Sequence, residues 1–423
     1  MTSAIRVLIG LVSGFLLGLA IAGSSSAAAA VTIAVLTTVG TVFVNLIRMT
    51  VIPLVVSMLV GSIGGLTESG GLGRTGVRAL LISVALVAIA ATASVLIAGP
   101  IIGLIPIDQA AALALRDGAV GTTESTPALL GHQQLGQWLV DLVPANVVRA
   151  AADGAMLPLI LFAVVFGIAL TRVSAARREG VIRVVEGIAE AMQLVVGWIL
   201  RLAPIGVFAL AVPLASRLGL SAAGAVVGYV AVVVALTIVA VGLLLYPLGI
   251  LAGPLSASRF VSYCAPAQAI AFASRSSLAA LPVAAQSAER AGLPPSASRV
   301  FLPMGVSVFH FGAAIAQTVG VVFLARLFGV VLTPVQLGTV VVAVIFASFA
   351  VPGIPGGSII AMVPVLTSVG LPVDGIGILL AVDTIPDMFR TTANLTGAMT
   401  LTAILLGDRN DQDPQIPAVR FRT

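Results

Sequence analysis

Apolar runs of roughly twenty residues recur along the chain, separated by short loops that carry arginine. A helix rises about 1.5 Å per residue, so about 20 apolar residues cross a ~30 Å hydrocarbon core. The pattern predicts continuous helices over 4–22, 33–66, 76–106, 155–171, 181–216, 221–252, 296–328 and 374–406. Two segments break the pattern. From Arg259 to Gln286 an apolar half stops at Ser274-Arg275-Ser276-Ser277 and a second half follows. From Gln336 to Gly370 the interruption is Val351-Pro352-Gly353-Ile354-Pro355-Gly356-Gly357-Ser358. Each half has about 12–15 residues, short for a span and typical of a re-entrant helix. Backbone opened at membrane depth is tolerated only where it faces protein or a cavity. Paired broken segments of this kind mark the substrate site of a transporter. A long helix follows each, an order that reads as an inverted repeat.

One apolar segment, from about Leu371 to Leu406, carries a polar stripe. Asp383, Asp387, Arg390 and Asn394 lie four, three and four residues apart. At about 100° per residue they fall within roughly 60° of arc on one helix face. A charge at membrane depth costs at least ~2.5 kcal/mol on insertion scales, so a helix that keeps this stripe is expected to bind something polar.

Composition supports the membrane reading. The chain is 59% hydrophobic and 9% charged, against about 25% charged residues in a soluble domain, and its mean hydropathy is +1.18. The expected class is an all-α polytopic membrane protein with about eight transmembrane helices plus two re-entrant helical hairpins. The net charge of +5 is spread over loops and forms no nucleic-acid patch. Every basic residue is arginine, a composition bias without functional meaning. The single cysteine, Cys264, excludes an internal disulfide, and His132 and His310, the two histidines, exclude a His-rich metal cluster. No metal or cofactor is expected.

Charge also sets orientation. Arg74, Arg78, Arg172, Arg177, Arg178, Arg183, Arg259, Arg290 and Arg299 fall in short loops assigned to one side, with Arg6, Arg409, Arg420 and Arg422. The positive-inside rule makes that side cytoplasmic, with both termini inside. The first thirty residues imitate a signal peptide but read better as the first transmembrane helix. Pro106–Gln137 reads as an external loop, and 408–423 as a disordered tail.

These residues resemble the dicarboxylate/amino acid:cation symporter family, the glutamate transporter homologues, over nearly the whole chain. Ser274 to Pro282 is similar to the family's serine-rich first hairpin tip, and Val351 to Ser358 to the Gly/Pro tip of the second. Asp387-Met388-Phe389-Arg390-Thr391 with Asn394-Leu395-Thr396-Gly397 resembles the last-helix motif. Arg48-Met49-Thr50-Val51-Ile52-Pro53 and Ala203 to Ala209 resemble scaffold helices. The resemblance implies a homotrimer in a prokaryotic inner membrane, working as an elevator. Residues 1–70 and 107–217 would hold the scaffold helices, with the external loop in the second stretch. The transport domain would comprise 71–106 and 218–407, with hairpins at about 256–290 and 335–370.

The resemblance also implies site roles. Arg390 would grip the side-chain carboxylate of an acidic substrate, for which a planar guanidinium is suited. Asp387 would take the amino group, and Asn394 and Thr391 would hydrogen-bond the substrate. Ser277, Ser276 and the backbone at Ile354 would hold the main-chain carboxylate, with Val351, Pro352, Gly353, Pro355, Gly356 and Gly357 as the gate. A plainer explanation pairs Asp387 with Arg390 at i,i+3, merely neutralising a buried helix. It accounts for two charges but not for Asn394, Thr391 and both broken segments. Arg275 reads as a structural salt-bridge partner. An amino group wants a carboxylate partner, whereas a plain dicarboxylate would be repelled by one, so the Asp387–Arg390 pair favours aspartate or glutamate over succinate or malate.

The family's Asn-Met-Asp-Gly-Thr sodium motif aligns with Phe309-His310-Phe311-Gly312-Ala313, where Ala313 takes the substrate-site place of the Thr that would touch substrate, and the family's sodium-binding Asp near the end of the last helix aligns with Ala398. On the third helix Ser83, Leu86 and Val87 stand at ligand positions. Sodium needs oxygen ligands, so transport is expected to be sodium-independent. An imidazole ordinarily titrates near physiological pH, so His310 is a candidate for carrying a coupled proton, as are Asp383, Asp387 and Glu190. His310 also fits a neutral core histidine, and Asp383 a helix-packing acid. Loss of the sodium sites fits an uncoupled facilitator too. An intramembrane aspartyl protease needs two Asp on facing helices, whereas Asp383 and Asp387 share one, and Ser307 with His310 lacks an oxyanion loop. An enzyme is not expected.

Overall fold

Gly10, Gly14 and Gly18 recur every fourth residue, so one face of α1 (Ser3–Ile21) carries no side chains. Methyl groups there would strike the backbone of a second helix: a Cβ on Gly10 would meet the Pro204 carbonyl, one on Gly14 would lie 2.6 Å from Phe208 O, and one on Gly18 would lie 2.5 Å from Val212 O. Small residues at this spacing let membrane helices approach backbone to backbone, where dispersion and close packing replace the hydrophobic effect. The computed structural model describes residues 3–24, 26–65, 73–104, 140, 142–218, 220–294, 297–351 and 356–407, with helices and no strand among them. The external loop at Pro106–Gln137 and the tail 408–423 lie outside the described residues.

After α1 come α2 (Ala27–Gly64), α3 (Gly73–Gly103), α4 (Val147–Ala152), α5 (Met156–Leu170), α6 (Ala175–Arg201) and α7 (Ala203–Leu218). The α2 helix begins earlier than expected, because the Ser26 side chain accepts from the Ala29 N–H and caps it. A single helix over 181–216 is corrected to two, bent by 58°. Pro204 explains the bend, since it has no N–H to donate to the preceding turn. Helix α1 packs on α7, and α2 packs on α5, α6 and α7.

The rest form a second group. Helix α8 (Leu220–Ala240) continues through a π-helical stretch, Val241–Leu245, into α9 (Tyr246–Leu251). Then α10 (Ala257–Ser274) and α11 (Ser277–Arg290) fold back on each other. A π-helical turn, Ala297–Phe301, leads into α12 (Leu302–Val308) and α13 (Phe311–Leu327). Helices α14 (Pro334–Ser348), α15 (Gly357–Ile360) and α16 (Val363–Ser368) make the second broken segment, before α17 (Gly375–Val382) and α18 (Thr384–Gly407). Helices α3, α8, α10, α12 and α13 pack around α18, and α3 also packs on α13 and α14.

Ala27–Gly64, Arg78–Gly103, Gly224–Leu251 and Leu302–Leu327 are long and apolar enough to cross a membrane, and the bent α6–α7 pair makes a fifth candidate span. Ile5–Ile21, Met156–Leu170, Pro334–Ser348 and Gly357–Ser368 are apolar but shorter. Leu8, Val12 and Leu16 on α1, and Val31, Val35 and Val42 on α2, are exposed. Continuous apolar outer faces of this kind suit lipid rather than water.

Candidate functional site

The breaks position the site. At the first, Arg275 takes the left-handed conformation (φ 55°), which no other described non-glycine residue does. Its N–H caps α10 on Ala271 O, and the Ser276 hydroxyl accepts from the Ala279 N–H to start α11. The Ser276 hydroxyl is thus committed to the backbone, and Ser277, the first residue of α11, is half-buried. This turn rests against α18: Phe272 meets Phe389 edge to face at 5.2 Å, and Gln268 Nε2 donates to Thr396 Oγ1 at 2.8 Å.

The second break corrects an expectation. The segment 296–328 is not one helix, because Phe309 is extended and His310 (φ −118°, ψ 64°) leaves helical geometry between α12 and α13. The first turn of α13 is closed from a distance. Asn394 Oδ1 accepts from the Gly312 N–H at 2.7 Å and the Ala313 N–H at 3.2 Å. Asn394 therefore spends its oxygen as a cap on α13. His310 Nδ1 lies 2.9 Å from Ser348 O, so that nitrogen carries the proton and donates to the end of α14.

The third break lies within the polar stripe itself. Pro386 has no N–H to return to the preceding turn, and the helix divides at Asp383 into α17 and α18. Asp383 still faces Arg390. Nη1 and Nη2 of Arg390 donate to the two Asp383 oxygens at 2.8 and 3.0 Å, and Nη2 donates to Asp387 Oδ1 at 2.6 Å. Thr391 adds a bond to Asp387 Oδ1 at 3.3 Å. Arg390 is 1% exposed, and both aspartates are buried. The neutralising pair weighed from sequence is thus present, and Asp383 joins it. It is incomplete, however: Asp387 Oδ2 is buried with no partner.

At the second broken segment, Val351 packs with Ala313 and Ala361. Gly356 needs its positive φ of 77° to begin α15. Pro352, Gly353, Ile354 and Pro355 lie outside the described residues. Gln317 Nε2 donates to Ser358 O at 3.1 Å, while Gln317 Oε1 and the Ser358 hydroxyl are buried without partners.

Asp383, Asp387, Arg390 and Thr391 therefore form one cluster, with Asn394 and Ala313 joined in the adjoining cap. Glu190 stands exposed on α6, which packs on α2 and α7 rather than on the cluster. Tyr229 of α8 was missed from sequence. Its hydroxyl is fully buried and unpartnered, and it lies within electrostatic range of Asp383 and Arg390. A tyrosine inside the apolar run from Gly224 to Leu251 was the available signal.

Two of the positions that the resemblance aligned with a sodium motif hold phenyl rings. Phe309 and Phe311 are fully buried with ring centroids 6.1 Å apart. A Cβ on Gly397 would run into the Phe309 ring, and Ala398 packs on Gly305. No group of three His, Cys, Asp or Glu suited to a metal ion occurs among the described residues.

A dry charged cluster where several apolar helices stop, with spare polar atoms inside it, is the make-up of a membrane solute carrier. The chain belongs to the sodium:dicarboxylate symporter family, whose model matches residues 4–406. It is 30% identical to the proton/glutamate-aspartate symporter of Escherichia coli, over 93% of this chain and 89% of that protein. It is 27% identical to the proton/sodium-glutamate symport protein of Bacillus subtilis, over 93% of this chain and 90% of that protein. A C4-dicarboxylate transport protein of Laribacter hongkongensis is 26% identical, over 96% of this chain and 90% of that protein. These relatives are transporters rather than enzymes.

Proposed function

We propose that this protein imports acidic amino acids, L-glutamate and L-aspartate, together with protons and without sodium. The observation that carries the reading is the buried Arg390 beside a carboxylate oxygen, Asp387 Oδ2, that has no partner. The guanidinium suits a substrate carboxylate, and the spare oxygen suits an ammonium. A C4-dicarboxylate has no ammonium to offer that oxygen, so succinate, fumarate and malate are the second reading, kept because of the relative named for them.

Sodium independence rests on Phe309, Phe311 and Ala398, whose side chains offer no oxygen to a hard cation. The elevator reading rests on the division into two packing groups. Helices α10–α11 and α14–α16 would be re-entrant hairpins of a moving domain, with α1, α2 and α5–α7 as the fixed, trimer-forming scaffold. The site would lie in a prokaryotic inner membrane, with both termini cytoplasmic.

Uptake of labelled glutamate and aspartate into proteoliposomes tests this. Uptake should persist without sodium and follow an inward proton gradient. Strict sodium dependence would sink the ion assignment. Succinate binding without aspartate binding would overturn the substrate choice.

A further inference from the structure

Arg390 is already engaged by two aspartates, and the donors it has left decide what a substrate must displace. A guanidinium offers two two-pronged faces, Nη1 with Nη2 and Nε with Nη2. Asp383 holds the first with bonds of 2.8 and 3.0 Å, and Asp387 occupies the Nη2 half of the second at 2.6 Å. A substrate carboxylate can be gripped on two prongs only if an aspartate lets go. Charge counts the same way. One guanidinium against two carboxylates leaves the buried cluster with one net negative charge. Glutamate or aspartate, with two carboxylates and one ammonium, brings a second negative charge into a buried site. One proton taken up with the substrate restores one net negative charge.

The groups around the cluster narrow where that proton sits. Arg390 stays charged in any protein environment. Asp387 must stay charged to receive the substrate ammonium through Oδ2, its free oxygen. His310 already donates through Nδ1 to Ser348 O, and a second proton on it would place a cation within electrostatic range of Arg390. Tyr229, on α8, is a neutral phenol. Arg275, on the α10–α11 turn, is a further cation acting on Asp383. Arg48 of α2 meets Asp374 at 3.9 Å, at the start of α17 rather than at Asp383. Asp383 remains.

We propose that Asp383 carries the coupled proton, one per acidic amino acid. It takes up the proton when the substrate carboxylate displaces it from Arg390 and gives it up when Arg390 returns. Two N–H···O bonds pass from Asp383 to the substrate carboxylate, and one O–H bond forms on the released carboxyl from a solvent proton. On release each step reverses. The buried Tyr229 hydroxyl, without a partner, is available to hydrogen-bond the neutral acid. Proton and substrate thus help each other bind, as symport requires. This rests on the acidic amino acid reading above.

The test is binding of labelled aspartate and glutamate to the purified full-length protein between pH 5 and 8, with protons counted by a pH dye in weak buffer. In the native protein, affinity should fall with rising pH, toward about tenfold per unit at one proton per substrate. Proton uptake should approach one per bound substrate. Asp383→Asn should bind with no pH dependence and no proton uptake, while His310→Gln should keep the native proton count. Asp383→Glu, which retains an acid, should keep one proton per substrate with a shifted midpoint, and it serves if the Asn variant does not fold. A native proton count in Asp383→Asn, or its loss in His310→Gln, would overturn the assignment while leaving the substrate reading intact. Substrate binding by the native protein without proton uptake would overturn it too. If the native protein binds neither amino acid, the substrate reading fails and this proposal fails with it.

Discussion

Replacing Asn394 with alanine should open the start of α13 from a distance of about eighty residues in sequence. Asn394 Oδ1 is the acceptor for the Gly312 and Ala313 N–H groups, at 2.7 and 3.2 Å, and both residues are buried. The helix cannot serve these donors itself, because the first N–H groups of a helix have no intrahelical acceptor. Each buried donor left without a partner costs about 1–3 kcal/mol. The two together make about 2–4 kcal/mol, after some relaxation by water or a shifted turn. At about 1.4 kcal/mol per tenfold, this is roughly thirtyfold to nearly a thousandfold more frequent opening of that turn. Hydrogen exchange followed by mass spectrometry, on peptides spanning 305–318 of the detergent-purified protein, reads this directly. Asn394→Asp keeps an acceptor oxygen and should retain most of the protection. Exchange at 312–313 that stays within about threefold of native in Asn394→Ala would refute the capping argument. Equal loss in the Asp and Ala variants would refute it as well.

Three further perturbations follow from the packing. Arg390→Ala should abolish acidic-substrate binding and cost about 3–5 kcal/mol, because it strands two buried carboxylates without their cation; adding Asp383→Asn should recover much of the thermal stability but not the binding, and recovered binding would contradict the substrate role. Gly14→Ala would put a methyl 2.6 Å from Phe208 O and should cost about 1–3 kcal/mol through overpacking. Gly187→Ala on α6, where nothing lies within 4 Å, should be neutral or stabilising by up to about 1 kcal/mol. Thermal unfolding in detergent compares them, and equal effects of the two would remove the close α1–α7 packing as the cause.

Much of this was legible in the chain because it depends on local composition. Apolar run length set the helices, since a membrane leaves backbone polar groups no partner but each other. Ser274 to Ser277 and the Gly/Pro run at 351–358 announced two breaks through residues that stop helices by their own chemistry. Spacing placed Asp383, Asp387 and Arg390 on one face, and that face holds in the structure even though Pro386 divides the helix at Asp383. Pro204 and Pro386 were themselves readable signals, though the runs around them passed as continuous helix. The break at Phe309-His310 was not readable. Nothing in Phe-His-Phe stops a helix; the oxygen that replaces the missing helical acceptors belongs to Asn394, far along the chain. His310's partner, Ser348 O, is likewise remote. The role of the α1 glycines also waited on their neighbour, because a glycine stripe shows its purpose only when a second backbone lies against it. The sequence by itself determined which groups enter the membrane, since burial of charge is a property of residue type and run length. Only the tertiary structure decided which of those groups are spent on each other and which, like Asp387 Oδ2, are left without a partner, because hydrogen-bond satisfaction depends on where distant segments meet.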